Sequence, residues 1–557
     1  MTIKQTNEQG MALLLATILV AIAIFTLGAV MVGVVSERNQ VERFENYEEC
    51  MYGIESALAM GQNSLENGNG GFVGIDPSQG FNPLATDPFS EPGVAPVTMT
   101  TMPGLEFMSF GVNWLTDGVD NNGDGTMDLV DEAGFFTLYA YARQGSIVRR
   151  VEVILEGQDF SVWRNAIFAG VGQAGGLING NVSIHGSVHL LGDAVLPGGQ
   201  SLTALDMSGN SLIHNNYVGL PANLAARVPP LETVVVDGET VETLEAVLRV
   251  KNGMVGLSGS SEIGSPHTTG NTVKETMDGT YVTDGWTGNQ CPGGVPGPVY
   301  SDNGHTESYD LGDMVPMPML QDDWREPGTG ARVWDASRNQ WYTHEDYFRE
   351  VLVGDPANPT DGLINGNVTI HAKNSNYYYN ASNPGDTNPA NRQPTDDYIY
   401  FDKNSNVMEI NGQIYINGKL TLVGQGNDKT INYTGRGAIL VNGDAAIDVN
   451  LFSVNSNGTT ALSYPAANCF GIMTAGDLTV GSASQLDIMG AFYAQGTVES
   501  AKQTITMGTF VGSYFDMGNQ VPDIFQVPTL ADNLPYGMIG NYPIMVLGQV
   551  SWRELGI

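Results

Sequence analysis

The chain has 557 residues, enough for two to four domains, and its 60 acidic side chains against 23 basic ones give a net charge of −37. Phosphate recognition needs a basic face, so this balance excludes a nucleic-acid partner and suits a protein kept soluble outside the cell with capacity for divalent cations. Hydrophobic residues make up 42% of the chain, enough to fill cores and exclude disorder, while three cysteines (Cys50, Cys291, Cys469) cannot build a disulfide framework.

The first ten residues, MTIKQTNEQG, are polar, and residues 11–35 carry no charged side chain. Twenty-five helical residues span about 37 Å, enough to cross a hydrocarbon core of about 30 Å with some tilt. The apolar run is too long for a removable secretory signal, and no small-x-small cleavage pattern follows it. It reads either as an uncleaved anchor or as a segment processed at its other end, where Gly10 directly precedes Met11. Beyond Val35 the apolar residues keep helical spacing at Val41, Phe44, Tyr47, Met51, Ile54 and Leu58, with charged residues between. The Asn-Gly cluster at 67–71 ends the pattern, which predicts one helix over 11–66 with its transmembrane part at 11–35.

Residues 8–15, Glu-Gln-Gly-Met-Ala-Leu-Leu-Leu, resemble the N-terminal segment of PilX-type minor pilins of type IV pili, and are similar to that of the K-type minor pseudopilins of type II secretion. The resemblance implies that residues 1–10 are a leader removed after Gly10 by a prepilin peptidase, with methylation of the new N-terminus at Met11. It implies a single-pass protein of the bacterial inner membrane with its C-terminal body outside, later part of a pilus at the cell surface or of a periplasmic pseudopilus. Its partners are then other pilin or pseudopilin subunits, met through the N-terminal helix. Leu15 occupies the fifth mature position, where major pilins carry Glu; both minor families often lack that Glu, so the implied role is a minor subunit.

Residues 67–160 read as a connecting region. Residues 72–115 are rich in Pro, Gly, Phe and Met without periodicity and predict irregular chain. In the acidic stretch that follows, Asp120, Asn122 and Asp124 fall at positions 1, 3 and 5 of a twelve-residue calcium loop, Gly125 at 6, Thr126 at 7, Asp128 at 9 and Asp131 at 12. Alternate side chains point inward and Gly allows the sharp turn, so hard oxygen ligands converge on a cation, with Thr126 offering its carbonyl. Asp131 stands where an EF-hand has Glu, and the stretch resembles the DxDxDG loops of extracellular bacterial proteins. The expectation is a structural Ca²⁺ ion; the alternative is an Asx-rich turn with solvated carboxylates. Two strand-like runs around Arg143-Gln144-Gly145-Ser146 predict a β-hairpin over 135–155.

Residues 161–515 repeat themselves. LINGNVSIH at 177–185 returns as LINGNVTIH at 363–371, and Gly443-Asp444 returns as Gly476-Asp477, which aligns Ile439 with Ile472. Short alternating strands closed by Asn-Gly, Gly-Asp or Gly-Lys predict a stacked solenoid. The fold class is therefore mainly β: a long N-terminal helix followed by a parallel, right-handed β-helix with loop insertions, the largest at 215–350. Asn and Gly are expected to supply positive φ at its corners. A jelly-roll or other sandwich is the alternative.

The body carries no G-x-S-x-G, H-E-x-x-H, cysteine-based zinc pattern or phosphate-cradling loop. Asp444, Asp448, Asp477 and Asp487 would align on stacked coils as in polysaccharide-cleaving β-helices, but Gly-Asp is good turn chemistry and basic partners are scarce, so the expectation is no enzyme. His185 and His371, equivalent in the repeat, read as surface residues. Trp286, Trp324, Trp334 and Trp341 either stack on sugars or pack an insertion onto its scaffold. Cys291 and Cys469 either pair or remain buried thiols. Residues 516–557 read as a C-terminal segment ending in a strand that docks back on the body. These features predict a structural minor pilin-like subunit at a pilus tip or in assembly initiation, its body adhering to a surface glycan or protein. The competing readings are an uncleaved membrane-anchored carbohydrate-binding protein and an anchored polysaccharide lyase or hydrolase.

Overall fold

The computed structural model describes residues 4–66, 71–113, 135–159, 161–170, 178–180, 182–192, 203–236, 238–264, 275–288, 298–303, 316–327, 330–354, 362–424, 429–482, 485–517, 522–541 and 545–555. The fold is mainly β with a long N-terminal apolar helix, and it separates into two compact units. One comprises Met1–Asp159 with Met545–Ile557 and the other Phe160–Ile544. The predicted calcium loop, with Asp120, Asn122, Asp124, Thr126, Asp128 and Asp131, lies outside the described residues, as does Cys291.

In the first unit, α1 runs from Lys4 to Glu66 and so begins inside the polar leader rather than at Met11. It lies on a five-stranded antiparallel sheet ordered β1 (Val97–Thr98), β2 (Glu106–Asn113), β3 (Phe135–Gln144), β4 (Ile147–Asp159) and a closing strand, Met545–Leu555. Cys50, Ile54, Ala57 and Leu65 of α1 pack on Phe107, Leu138, Ala140, Val151, Val153 and Leu155. The sheet's other face is covered by the loop carrying Ile75, Phe81 and Phe89, which packs on Met108 and Tyr141, and the Tyr141 hydroxyl donates to Pro83 O at 2.8 Å. Cover on both faces explains why β2 escaped the reading of 72–115 as irregular. Adjacent Phe107 and Met108 are both buried, so the strand shows no polar alternation. The closing strand pairs with β4, Met545 opposite Asp159 and Leu555 opposite Arg150. It therefore belongs to the sheet of the helix-bearing unit, whereas the sequence reading of 516–557 places this strand on the repeat body. The edge left open by β4 supplies the hydrogen-bonding groups that capture it.

The second unit is built on a 25-stranded sheet. Its pairings are parallel except around Tyr377–Asn380 and Tyr398–Asp402, which pair antiparallel with each other, the latter also with Val407–Asn417. One ladder runs Ile414, Ile439, Ile472, Phe492, Phe510, Ile167, Val188 and Leu248, each opposite the next. A second runs Val368, Leu420, Ala445, Leu478, Val498, Phe515, Ile178, Leu205, Val255 and Trp286. A third runs Leu451, Ile488, Thr506, Ile524, Ile184, Ile213 and Ile263. Ile439 and Ile472 are direct partners, as the recurrence of Gly-Asp implies. The two copies are not equivalent: Ile184 lies in the third ladder, whereas its counterpart Ile370 lies with Val368 on a strand of the second. Nor is 215–350 one insertion, because Val247–Val250, Met254–Leu257, Glu262–Ile263, Gly279–Val282 and Trp286–Thr287 continue the ladders.

The stack does not follow chain order. The chain joins it in the middle at Ile167, builds outward through Trp286, and resumes at the opposite end with Ile364 and Val368. It then returns until Phe510 meets Ile167 and Ile524 meets Ile184.

One corner explains the recurring Gly. A Cβ on Gly443 would lie 2.7 Å from Gly418 O, and one on Gly496 would lie 2.9 Å from Gly476 O, closer than real Cβ atoms come. Neither glycine has a left-handed φ, so at this corner Gly serves close backbone approach between turns, whereas Gly366, Gly412, Gly435 and Gly481 do take the expected positive φ. Beside them Asn417 Nδ2 donates to Asn365 Oδ1 and Asn442 Nδ2 to Asn417 Oδ1, both at 3.2 Å. Gly443→Val is expected to force two turns apart at a cost of about 1–3 kcal/mol. Denaturant unfolding of the variant against the parent measures it, and an unchanged midpoint would refute the corner-contact account.

Candidate functional site

The feature that stands out in the helix-bearing unit is the N-terminal half of α1. Leu14 to Val35 is apolar and exposed along its length, Leu15 at 63% and Phe25 at 79%, and this is the one helix among the described residues long and apolar enough to cross a membrane. Thr26 keeps the run self-contained by donating its hydroxyl to Ile22 O at 2.8 Å. The backbone at Gly10 and Met11, the predicted processing site, is helical.

The predicted stripe divides along α1. Val41 and Phe44 stay exposed, while Ile54 is 2% exposed in the core. The face that approaches the sheet also uses residues the periodicity did not single out. A Cβ on Gly53 would lie 2.7 Å from Ala142 Cβ and one on Gly61 2.6 Å from Ser109 Oγ, with Ala57 buried between them. Small residues at four-residue spacing were the available signal, and they let helix and sheet backbones come close. Where α1 leaves the sheet, Arg149 lies over the Tyr47 ring at 3.9 Å and pairs with Glu554. Gln144 donates to Glu49, and Cys50 Sγ to Ile147 O at 3.6 Å. Burial raises the Cys50 thiol pKa above its ordinary value, in line with a packing role.

In the body, some of the predicted carboxylates do align. Lys419 Nζ donates to Asp444 Oδ2 at 2.6 Å; Asp477 N donates to Asp444 Oδ1 at 3.3 Å and Thr497 N to Asp477 Oδ1 at 2.7 Å. Asp444 is held below the usual carboxylate range, first by the Lys419 hydrogen bond and then by that of the Asp477 backbone. Each carboxylate thus ties one turn to the next. Asp448 accepts from Ser482, and Asp487 is partly buried, with its pKa raised by that burial. The row does not converge on one point.

His185 contradicts the surface expectation. It is buried, stacked on Phe525 at 4.1 Å and on His214 at 4.8 Å, with Nδ1 2.8 Å from Asn216 O. His371, on another ladder, is half-buried. Trp324 is fully buried and stacks on Tyr347 at 4.4 Å, whereas Trp334 meets Trp341 edge-on and remains 46% exposed. Trp286 takes part in the second ladder. Cys469 is a fully buried thiol pushed up to about 12 by burial. An open polar cleft is lined by Asn380, Asn383, Asp386, Asn391, Gln393 and Asp396.

No known protein-family model matches the chain, and no curated protein matches it. Among solved structures, the crystal structure of the competence-associated pilin ComZ from Thermus thermophilus is similar at 16% identity with a TM-score of 0.46, over 92% of this chain and 97% of that one.

The buried histidines give a signed pH dependence. Burial, and then the His214 charge, lowers His185 to about 3, and burial lowers His214 to about 4. An unfolded imidazole titrates near 6.5, so below that pH the unfolded chain binds the proton the folded one refuses, and stability falls as pH drops toward the folded values. Asp397 and Asp523, each raised to about 6 by burial, act in the opposite direction. The expected outcome is therefore differential: His185→Phe flattens the loss of thermal stability between about pH 6.5 and about pH 4 relative to the parent. Parallel melting curves in the two proteins would remove His185 from the account.

Proposed function

We propose that this chain is a minor pilin-like, non-enzymatic subunit of a type IV pilus or related pseudopilus. It would be inserted in the bacterial inner membrane, cleaved after Gly10 and methylated on Met11, and assembled with other pilin subunits through α1. The observation that carries the reading is the division of one 63-residue helix. Its C-terminal half is packed on an antiparallel sheet, while its N-terminal half presents apolar side chains to its surroundings. Such a half-helix needs lipid or the helices of like subunits to cover it. The N-terminal resemblance to PilX-type and K-type proteins supports the finer assignment.

In this reading the body is a parallel β-helix, in line with its three parallel ladders, and its bulk suits a tip or initiating position because it is hard to repeat along a filament. Residues 120–131 would bind Ca²⁺ to rigidify their loop. A role without catalysis is favoured by Asp444 and Asp477 both being engaged by backbone N–H groups of the following turn. The polar cleft at Asn380–Asp396 favours a second reading, an uncleaved anchored protein that binds glycans, since amide and carboxylate side chains suit sugar hydroxyls.

Mass spectrometry of the N-terminal fragment from membranes separates the two. A chain beginning at N-methylated Met11, accompanied by the protein in sheared filament fractions, is the expected result. A chain beginning at Met1 would overturn the pilin reading and leave the anchored one.

A further inference from the structure

At the outward end of the part of the stack that runs from Ile167, three carboxylates meet. Glu275, Asp278 and Asp302 each offer one oxygen, and these three oxygens lie within 4.8 Å of one another. Two successive turns contribute them. Glu275 and Asp278 lead into Gly279–Val282, and Asp302 belongs to the next turn, held in place by the parallel bridge of Met277 to Ser301. The backbone fixes that register: Met277 N donates to Tyr300 O at 3.1 Å and Asp302 N to Met277 O at 2.9 Å.

Like charges this close repel, and the polar groups around them do not neutralise them. Asn215 Nδ2 donates to Glu275 Oε1 at 3.3 Å, to Thr276 O at 2.7 Å and to Asp278 Oδ1 at 2.9 Å. The Thr276 hydroxyl donates to Asp302. Glu245 adds a further carboxylate near Asp278. Among the described residues none of the three acids forms an ion pair. A second observation is independent of the clustering: Glu275 is only 4% exposed, and its Oε2 is buried without a hydrogen-bond partner among the described residues. A buried carboxylate oxygen left in that state is costly unless something else compensates it.

We propose that Glu275, Asp278 and Asp302 bind a hard divalent cation of the calcium type, which clips the last turns of the stack together. All three donors are carboxylate oxygens, the set hard cations take, and a calcium ion completes its shell with carbonyls or water. Asn215 is a positioning residue, turning its amide NH₂ toward Glu275 and Asp278 and so orienting their free lone pairs. The site uses none of residues 120–131 and does not depend on the pilin reading.

The test uses full-length protein carrying Asp120→Asn and Asp124→Asn, so that the acidic loop does not contribute. After stripping with chelator, calcium chloride is titrated while thermal unfolding and calcium uptake by equilibrium dialysis are followed. The expected result is a rise in melting temperature with saturable uptake, and loss of both when Asp302→Asn is added. Asp302→Asn conserves shape and removes one like charge, so without calcium its melting temperature should be no lower than that of its parent. This readout separates loss of a site from loss of the fold. If the parent neither takes up calcium nor shifts its melting temperature, or if Asp302→Asn responds as the parent does, the proposal is overturned.

Discussion

The body rests on one constraint, the fit of each turn's backbone against the next. At the corner where Gly418, Gly443, Gly476 and Gly496 follow one another, the turns come so close that a β-carbon would meet a neighbouring backbone or the Asp side chain beside it. That spacing holds the flanking strands in register, with an irregularity between Ala494 and Thr497 at the corner itself. Parallel partners fall in register, so Ile439 must stand on Ile472, and Asn442 reaches the amide of Asn417. The carboxylates of Asp444 and Asp477 find backbone N–H groups one turn away. Polar side chains at the corner thereby satisfy main-chain groups that strands ending there would leave without partners. The chemistry that resembles a row of catalytic acids follows from this stacking geometry.

How much of this could be read from the sequence depends on whether a residue's environment is set locally or by distant chain. The end of α1 at Glu66 was legible from where its apolar spacing runs out, and the strands around Gly145 because a short turn fixes them. The pairing of Ile439 with Ile472 was legible because the repeat writes the register into the sequence. Strand β2 was not, because its burial on both faces depends on α1 on one side and the loop bearing Phe81 and Phe89 on the other. His185 was misread because Phe525, far along the chain, covers it. Similarity between the two LINGNV copies suggested equivalence, yet they occupy different ladders; a motif that makes a good strand and corner can serve on more than one side of a stack. The carboxylates at 275, 278 and 302 carry no motif spacing at all. Their meeting follows from the register of Met277 on Ser301.

The order in which the chain builds the stack has a physical cause in its insertion. The residues on either side of the body, Asp159 and Met545, are direct partners on neighbouring strands of the sheet that supports α1. A domain inserted there must begin and end close together. Parallel strands laid down in chain order from one edge to the other would leave the two connections a full sheet width apart, and a long return segment would be needed to bring them back. Here the chain instead enters at the middle. Phe510 pairs with Ile167 and Ile524 with Ile184, so the first and last turns to be made are neighbours. The Trp163 indole N–H then donates to Ile539 O at 2.7 Å, fastening the incoming segment to the outgoing one. Each unit therefore brings its two connection points together independently. Among the described residues, both ends of the stack are made of internal chain, and an end turn pairs with a neighbour on one side only. Such turns lack half of the backbone pairing that holds the interior ones, so they are where additional cross-turn links contribute most. The Met277–Ser301 bridge and the acidic side chains around it stand at one of these ends.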